Sequence, residues 1–164
     1  MRTTNTELRP WCESDAEHLL RASGVSDDLA TQVGDVDLST LDRCQEFIAF
    51  QLRPSSPSVR NFAISVDGAA VGNVGIGHIE HRHDTGWLHY WVSAEARGQS
   101  LASRSLASAA HWERDLFRLE LGHRVNNPNA ETSPYGKPYC LPAQELSWAA
   151  SSAYWGPQCW DLST

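Results

Sequence analysis

The chain has 164 residues, 41% hydrophobic and 20% charged, the balance of one soluble globular domain long enough to bury a core. Its formal net charge of −7 disfavours attraction to nucleic acid or to an anionic membrane surface. No apolar run approaches the roughly 18 residues of a membrane span, and "MRTTNTELRPW" has no signal-peptide core, so the expected location is the cytoplasm.

"TELRPW" (6–11) alternates enough for a short first strand. Ser14 to Glu17 reads as a capping box, the serine oxygen and the glutamate each able to satisfy an end amide. It opens a helix carrying Ala16, Leu19, Leu20 and Ala22. A second helix starts at Ser39 or Thr40, where Leu41, Cys44, Phe47, Ile48 and Leu52 recur at three and four, and Pro54 ends it.

The period then becomes two. Phe62, Ile64 and Val66 share one face, Asp67-Gly68 turns a hairpin, and Val74 and Ile76 lie on the returning strand. Gly72, Gly75 and Gly77 weaken that strand and make sense if another backbone or a ligand comes close. "HRHDTG" (81–86) is the next turn and "WLHYWV" (87–92) a third strand. On it Leu88, Tyr90 and Val92 face one side, and Trp87, His89 and Trp91 the other. A helix from about 100 to 116 and a strand over "RLELGHRV" (118–125) follow. The predicted order is strand, two helices, three antiparallel strands, helix, strand, in a single domain over 1–164 with no repeat or linker.

Cys12, Cys44, Cys140 and Cys159 are scattered with no CxxC pair, and read as reduced thiols. No metal is expected either. His78, His81 and His83 lie in and beside a turn with no cysteine near, which does not make a zinc frame.

The third strand ends in Arg97-Gly98-Gln99-Ser100-Leu101-Ala102 and passes into an Ala/Ser/Leu helix. A helix N-terminus carries unpaired N–H groups and about half a positive charge, for which phosphate is the natural partner. Gly98 lets the main chain approach a ligand and Arg97 adds a mobile cation. No GK[ST] follows, so this is not a P-loop, and it is not a GxGxxG turn.

In its setting the run resembles the GNAT superfamily of acetyl-CoA-dependent N-acetyltransferases, nearest the branch of the ribosomal-protein-alanine acetyltransferases. The likeness covers about residues 7–128 through "ELRPW", "FAISVDGAAVGNVGIG", "YWVSAEARGQSLASRSL" and "FRLELGHRVNNP", in that order. It implies an α/β (α+β) fold with a central, mostly antiparallel twisted sheet flanked by helices. It implies acetyl-CoA as co-substrate, with the amides of Arg97, Gly98, Gln99, Ser100, Leu101 and Ala102 around the pyrophosphate. Backbone groups of Trp91 and Val92 would pair with the pantetheine arm in the gap between strands 87–92 and 118–125. Asn127 matches the family's asparagine that contacts that arm, and the glycines of 72–77 would line the adjacent channel.

The same resemblance implies transfer of an acetyl group to a primary amine, on a protein N-terminus or a small molecule, by direct attack in a ternary complex. The oxyanion donor would be a main-chain N–H near Val92. The family's usual glutamate on this strand is missing, Gly86 and Trp87 standing in its place, and Glu80 and His89 are the available bases. His89 either does this work or packs between the tryptophans. Ser100 replaces the family's glycine in the phosphate loop, a small cost if its φ is negative and a larger one if positive.

The last 36 residues, 129–164, are atypical. All twelve arginines precede Pro128, while half the prolines and three of the seven tryptophans follow it. Ala130 stands at the family's serine, and Tyr135, the stand-in for its tyrosine acid, lies between Pro134 and Gly136. A changed reading frame near residue 129 would account for this. With its closing strands gone, strand 118–125 is expected to expose an edge, which would favour pairing into a homodimer. The alternative functions are a catalytically impaired acyl-CoA-binding or interaction protein of the same fold, or a misfolding truncation product.

Overall fold

A computed structural model describes residues 5–34, 36–53, 56–112, 118–121 and 141–142. The elements run β1 (Thr6–Arg9), α1 (Ala16–Val25), α2 (Leu29–Gln32), α3 (Leu41–Phe47), β2 (Arg60–Val66), β3 (Ala69–Glu80), β4 (Thr85–Val92), α4 (Leu101–Trp112), β5 (Arg118–Leu121) and β6 (Leu141–Pro142). Among the described residues, no helix is long and apolar enough to cross a membrane.

The six strands form one sheet in chain order. β1 to β4 are antiparallel neighbours, as hairpin connections allow, while β5 lies parallel to β4 because α4 returns the chain between them. Period two sorts the side chains onto two faces. Ile64, Val74, Ile76, Leu88 and Val92 meet Leu101, Ala109 and Ala110 of α4 on one face. Trp11, Ala63, Ala70 and Trp91 meet α1 and α3 on the other, through Ala16, Leu19, Cys44 and Phe47. The product is a sheet flanked by helices, as the sequence implied.

Several local readings change. The cap of α1 is not made by Ser14: the Asp15 carboxylate accepts from Cys12 N–H at 2.9 Å and from two Arg9 nitrogens at 2.7 Å. A short α2 that the pattern did not signal follows α1, and α3 continues as a π-helical turn, Ile48–Leu52. The start of the strand expected to be a bare edge has a partner, because β6 pairs Leu141 with Leu119 and Pro142 with Arg118; residues 122–125 lie outside the described residues.

The glycines of β3 make room for the protein itself. A Cβ at Gly72 would lie 2.5 Å from the Trp91 carbonyl oxygen, and one at Gly75 would run into Asn61 Oδ1 and His89 Nε2. Cys44 is buried and Cys12 exposed, and both are free thiols. Burial, with a smaller contribution from Asp37, pushes the Cys44 thiol up to about 11.

Candidate active site

β4 leads directly into the helix mouth. Ser93 N–H donates to the Val71 carbonyl at 2.8 Å, and a single 3-10 turn, Ala94–Ala96, precedes Arg97. Gly98 has φ +79 and Ser100 φ +57, so two left-handed residues in quick succession swing the chain into α4. The first helical bond runs from Arg104 N–H to the Ser100 carbonyl at 3.2 Å. The N–H groups of Leu101, Ala102 and Ser103 therefore precede the ladder, at the positive end of the helix dipole.

A Cβ at Gly98 would meet nothing within 4 Å, so glycine serves the backbone angle and the space over it is open. Gln99 and Ser100 are exposed. The Leu101 side chain turns into the core, leaving its main chain for the mouth.

The second feature is the register of β4 against β5. β4 and β5 pair from Thr85 with Arg118 to Leu88 with Leu121, and within the described residues this pairing goes no further. The Ser93–Val71 bond fixes which way each β4 backbone faces. Residues at odd positions, Trp91 included, exchange hydrogen bonds with β3, while Val92 faces the β5 side. The Trp91 main chain lies opposite Asn73, and its ring packs 6.0 Å from Trp11 in the core. Val92 keeps the orientation that pairing with an extended ligand needs.

The Arg97 side chain has partners within the protein. Its Nε donates to the Val92 carbonyl at 3.0 Å and its Nη2 lies 2.8 Å from both Asp28 oxygens. The segment after α1 is also fastened to this loop by Ala94 N–H to Ser26 Oγ at 2.8 Å, and α1 itself by Arg21 to Glu95 at 3.0 Å.

His89 and Glu80 are separated by the strand geometry. His89 lies just past the last β4–β5 pair, on the face opposite α4. Its Nε2 is 3.0 Å from Asn61 Oδ1. Surrounding protein lowers its pKa, with the positive charge of His78 adding to the effect, against a Trp87 carbonyl that favours the proton. The imidazole is therefore neutral, and basic, around neutral pH.

Glu80 pairs opposite Thr85, four residues or about 13 Å of strand from His89. Its carboxylate accepts from Arg82 N–H at 3.0 Å within the turn. Trp87, by contrast with Trp91, is 39% exposed and meets the His78 ring edge-on at 6.4 Å. Among the described residues, no three His, Cys, Asp or Glu side chains gather as a metal cage. Asn127 and Tyr135 lie outside the described residues.

Sequence reading missed Asp28, Asn61 and Asn73. Asn73 had a signal: an amide set between glycines on an otherwise apolar strand must find partners when buried. Asp28 gave none, because an acid in a polar stretch is ordinarily solvated.

The model of the acetyltransferase (GNAT) domain matches residues 5–133. The chain belongs to this family. Its match stops short of residues 134–164. A search of curated proteins gives no match.

Among solved structures, the microcin C7 self-immunity acetyltransferase MccE, in complex with acetyl-CoA and AMP, is 15% identical. The alignment covers 77% of this chain and 73% of that one, with TM-score 0.66. Mycobacterium smegmatis RimJ, in complex with CoA-disulfide, is 23% identical over 75% and 64% of the chains, with TM-score 0.63. An acetyltransferase from Salmonella typhimurium that modifies the N-terminal serine of ribosomal protein L7/L12 is 18% identical over 91% and 81%, with TM-score 0.64. At these identities the likeness is one of fold, and two of these neighbours were captured with acetyl-CoA or with CoA-disulfide.

Proposed function

We propose that this protein is an acetyl-CoA-dependent N-acetyltransferase acting on a primary amine, a protein N-terminus or a small molecule. The observation that carries the reading is the adjacency of two features: an open helix mouth with its leading amides at 101–103, and the β4 strand that enters it with the Val92 main chain turned away from β3. A diphosphate at the mouth puts the attached arm along the Val92 edge, and its far end beside His89.

The residues divide the chemistry as follows. Amides from Arg97 to Ala102 take the pyrophosphate, and the Val92 main chain holds the arm as an added strand. A main-chain N–H near Val92 stabilises the oxyanion that forms as the amine attacks the acetyl carbonyl carbon. His89, neutral near pH 7, receives the proton of the amine. Glu80 is the weaker base because its carboxylate is turned into the 81–84 turn. Asn127 as an arm contact and Tyr135 as acid for the leaving thiolate remain carried by family resemblance alone.

The relatives suggest acceptors to try. One neighbour modifies the N-terminal serine of a ribosomal protein and another is a spermidine N-acetyltransferase. Calorimetry with acetyl-CoA is expected to show saturable 1:1 binding, weakened at least tenfold by Arg97→Ala and by Gly98→Trp. Unchanged affinity in both variants would remove the phosphate-loop assignment. Thiol release with spermidine and with peptides beginning in Ser or Ala then identifies the acceptor. Binding without any thiol release would favour the second reading, an acyl-CoA-binding protein, which Trp87 in place of the family's glutamate supports.

A further inference from the structure

A chain of side-chain hydrogen bonds crosses three strands beneath the site and ends on His89. Trp11 Nε1 is 2.8 Å from Asn73 Oδ1, Asn73 Nδ2 is 3.2 Å from Asn61 Oδ1, and Asn61 Oδ1 is 3.0 Å from His89 Nε2. Asn61 Nδ2 is separately 3.0 Å from the Gln51 carbonyl of the π-helical turn.

The direction of this chain is fixed from both ends. An indole N–H only donates, so Asn73 must present Oδ1 to Trp11 and Nδ2 to Asn61. A carbonyl only accepts, so Asn61 must present Nδ2 to Gln51. Both constraints give the Asn61 amide the same orientation, with its oxygen toward His89. An amide oxygen has only lone pairs to offer, so the contact with Asn61 draws the hydrogen of the neutral imidazole to Nε2 and leaves the free pair on Nδ1, in competition with the Trp87 carbonyl that also attracts a ring proton.

Gly75 supplies an independent sign that this pair is built in. It sits under the contact, where any Cβ would collide with Asn61 Oδ1 and with His89 Nε2.

We propose that Asn61 is a positioning residue for acetyl transfer, holding His89 as the Nε2–H tautomer so that Nδ1 accepts the proton of the attacking amine. The inference rests on the reading of His89 as the base. As the amine nitrogen bonds to the acetyl carbon and the C–S bond breaks, the amine proton moves to Nδ1 and the electron pair leaves on the CoA sulfur. The resulting imidazolium keeps its Nε2–H on Asn61. Among the described residues, His78 of β3 is the titratable group acting on this ring. Asn61 of β2 and the tryptophans of β4 are neutral, and the turn before β2 offers only a carbonyl.

Nitrogen NMR of the intact wild-type protein, above the His89 midpoint, reads the tautomer directly and needs no acceptor. The Nε2–H pattern is expected, and an Nδ1–H pattern would overturn the proposal. Asn61→Asp keeps the acceptor and adds a charge, so the His89 midpoint should rise by about one pH unit or more. The acid limb of kcat/KM for thiol release with the best amine of the panel should rise with it, lowering the rate about tenfold at pH values below the wild-type midpoint. A shifted NMR midpoint with an unmoved acid limb would overturn the role of Nδ1 in proton transfer. Calorimetry on the same samples keeps that result apart from a failure of the acetyl-CoA site, which would abolish binding in the wild type too.

Discussion

Arg97 gives its guanidinium to Asp28: Nη2 lies 2.8 Å from both carboxylate oxygens, and the two side chains are 42% and 48% exposed. A half-exposed ion pair of this kind contributes about 0–1 kcal/mol, less than a charge-assisted bond to a phosphate at a helix mouth. Asp28 is thus a weak competitor for the cation that the phosphate loop needs.

Asp28→Asn should therefore leave the thermal midpoint nearly unchanged while tightening acetyl-CoA binding a few-fold, up to about fivefold. Titration calorimetry on the two proteins reads this. A loss of affinity would mean that Asp28 organises the loop and does not compete with the ligand.

Ser100 adopts φ +57, the conformation that glycine reaches without strain. The replacement Ser100→Gly should stabilise the chain by about 1 kcal/mol, read as a higher denaturant midpoint, because the left-handed penalty for an L-residue disappears. Ser100→Val should lose stability, since branching at Cβ worsens the same conformation. Equal midpoints for all three would show that the angle carries no strain.

How far the sequence spoke for itself follows from range. The period-two runs 60–66 and 87–92 announce strands because alternation is a local property, and the Asp67-Gly68 hairpin is written in adjacent residues. The helix mouth was legible for the same reason. The parallel β4–β5 pairing is a long-range fact that no local pattern announces, and family resemblance brought only the neighbourhood of strands 87–92 and 118–125. Trp91 and Trp87 look alike in sequence, yet one is buried against Trp11 and the other stands exposed, because α1 and α3 cover only part of that face. Glu80 and His89 were both available as bases in the sequence, and only the register shows that Glu80 lies opposite Thr85, four residues along β4 from His89. Beyond residue 133 the family pattern itself stops. DNA sequence read one base over from residue 129 is expected to give an uninterrupted, family-like continuation, and a frame broken by stop codons there would dismiss the frameshift.

The two glycines nearest His89 make a paired test. A methyl group at Gly75 collides with Asn61 and His89, while one at Gly77 comes no nearer than 3.9 Å to the same ring. Gly75→Ala should cost about 1–3 kcal/mol of stability through overpacking, and should lower kcat at least tenfold by displacing the imidazole. Gly77→Ala should fold and turn over normally. Equal tolerance of both changes would contradict the packing of His89 on β3.

Stability at low pH should turn on Asp15. Burial disfavours its charge, but the Arg9 guanidinium and the Cys12 N–H outweigh that, so its pKa is lowered. A carboxyl with a folded pKa below its unfolded one adds stability at every pH above the unfolded value. That increment fades as pH falls from the usual carboxylate range, about 4, through the lowered folded value. The carboxylate joins β1, through Arg9, to the start of α1, and Arg9 also donates to the Gly68 carbonyl in the β2–β3 turn at 3.2 Å. Asp15→Asn should remove about 2 kcal/mol at pH 7, a typical figure for hydrogen bonds to a charged group. The difference from wild type should shrink as both proteins are acidified below pH 4. Denaturant titrations at pH 7 and pH 3 measure it, and a gap that stays constant between the two would show that the ion pair is not the source of the stability.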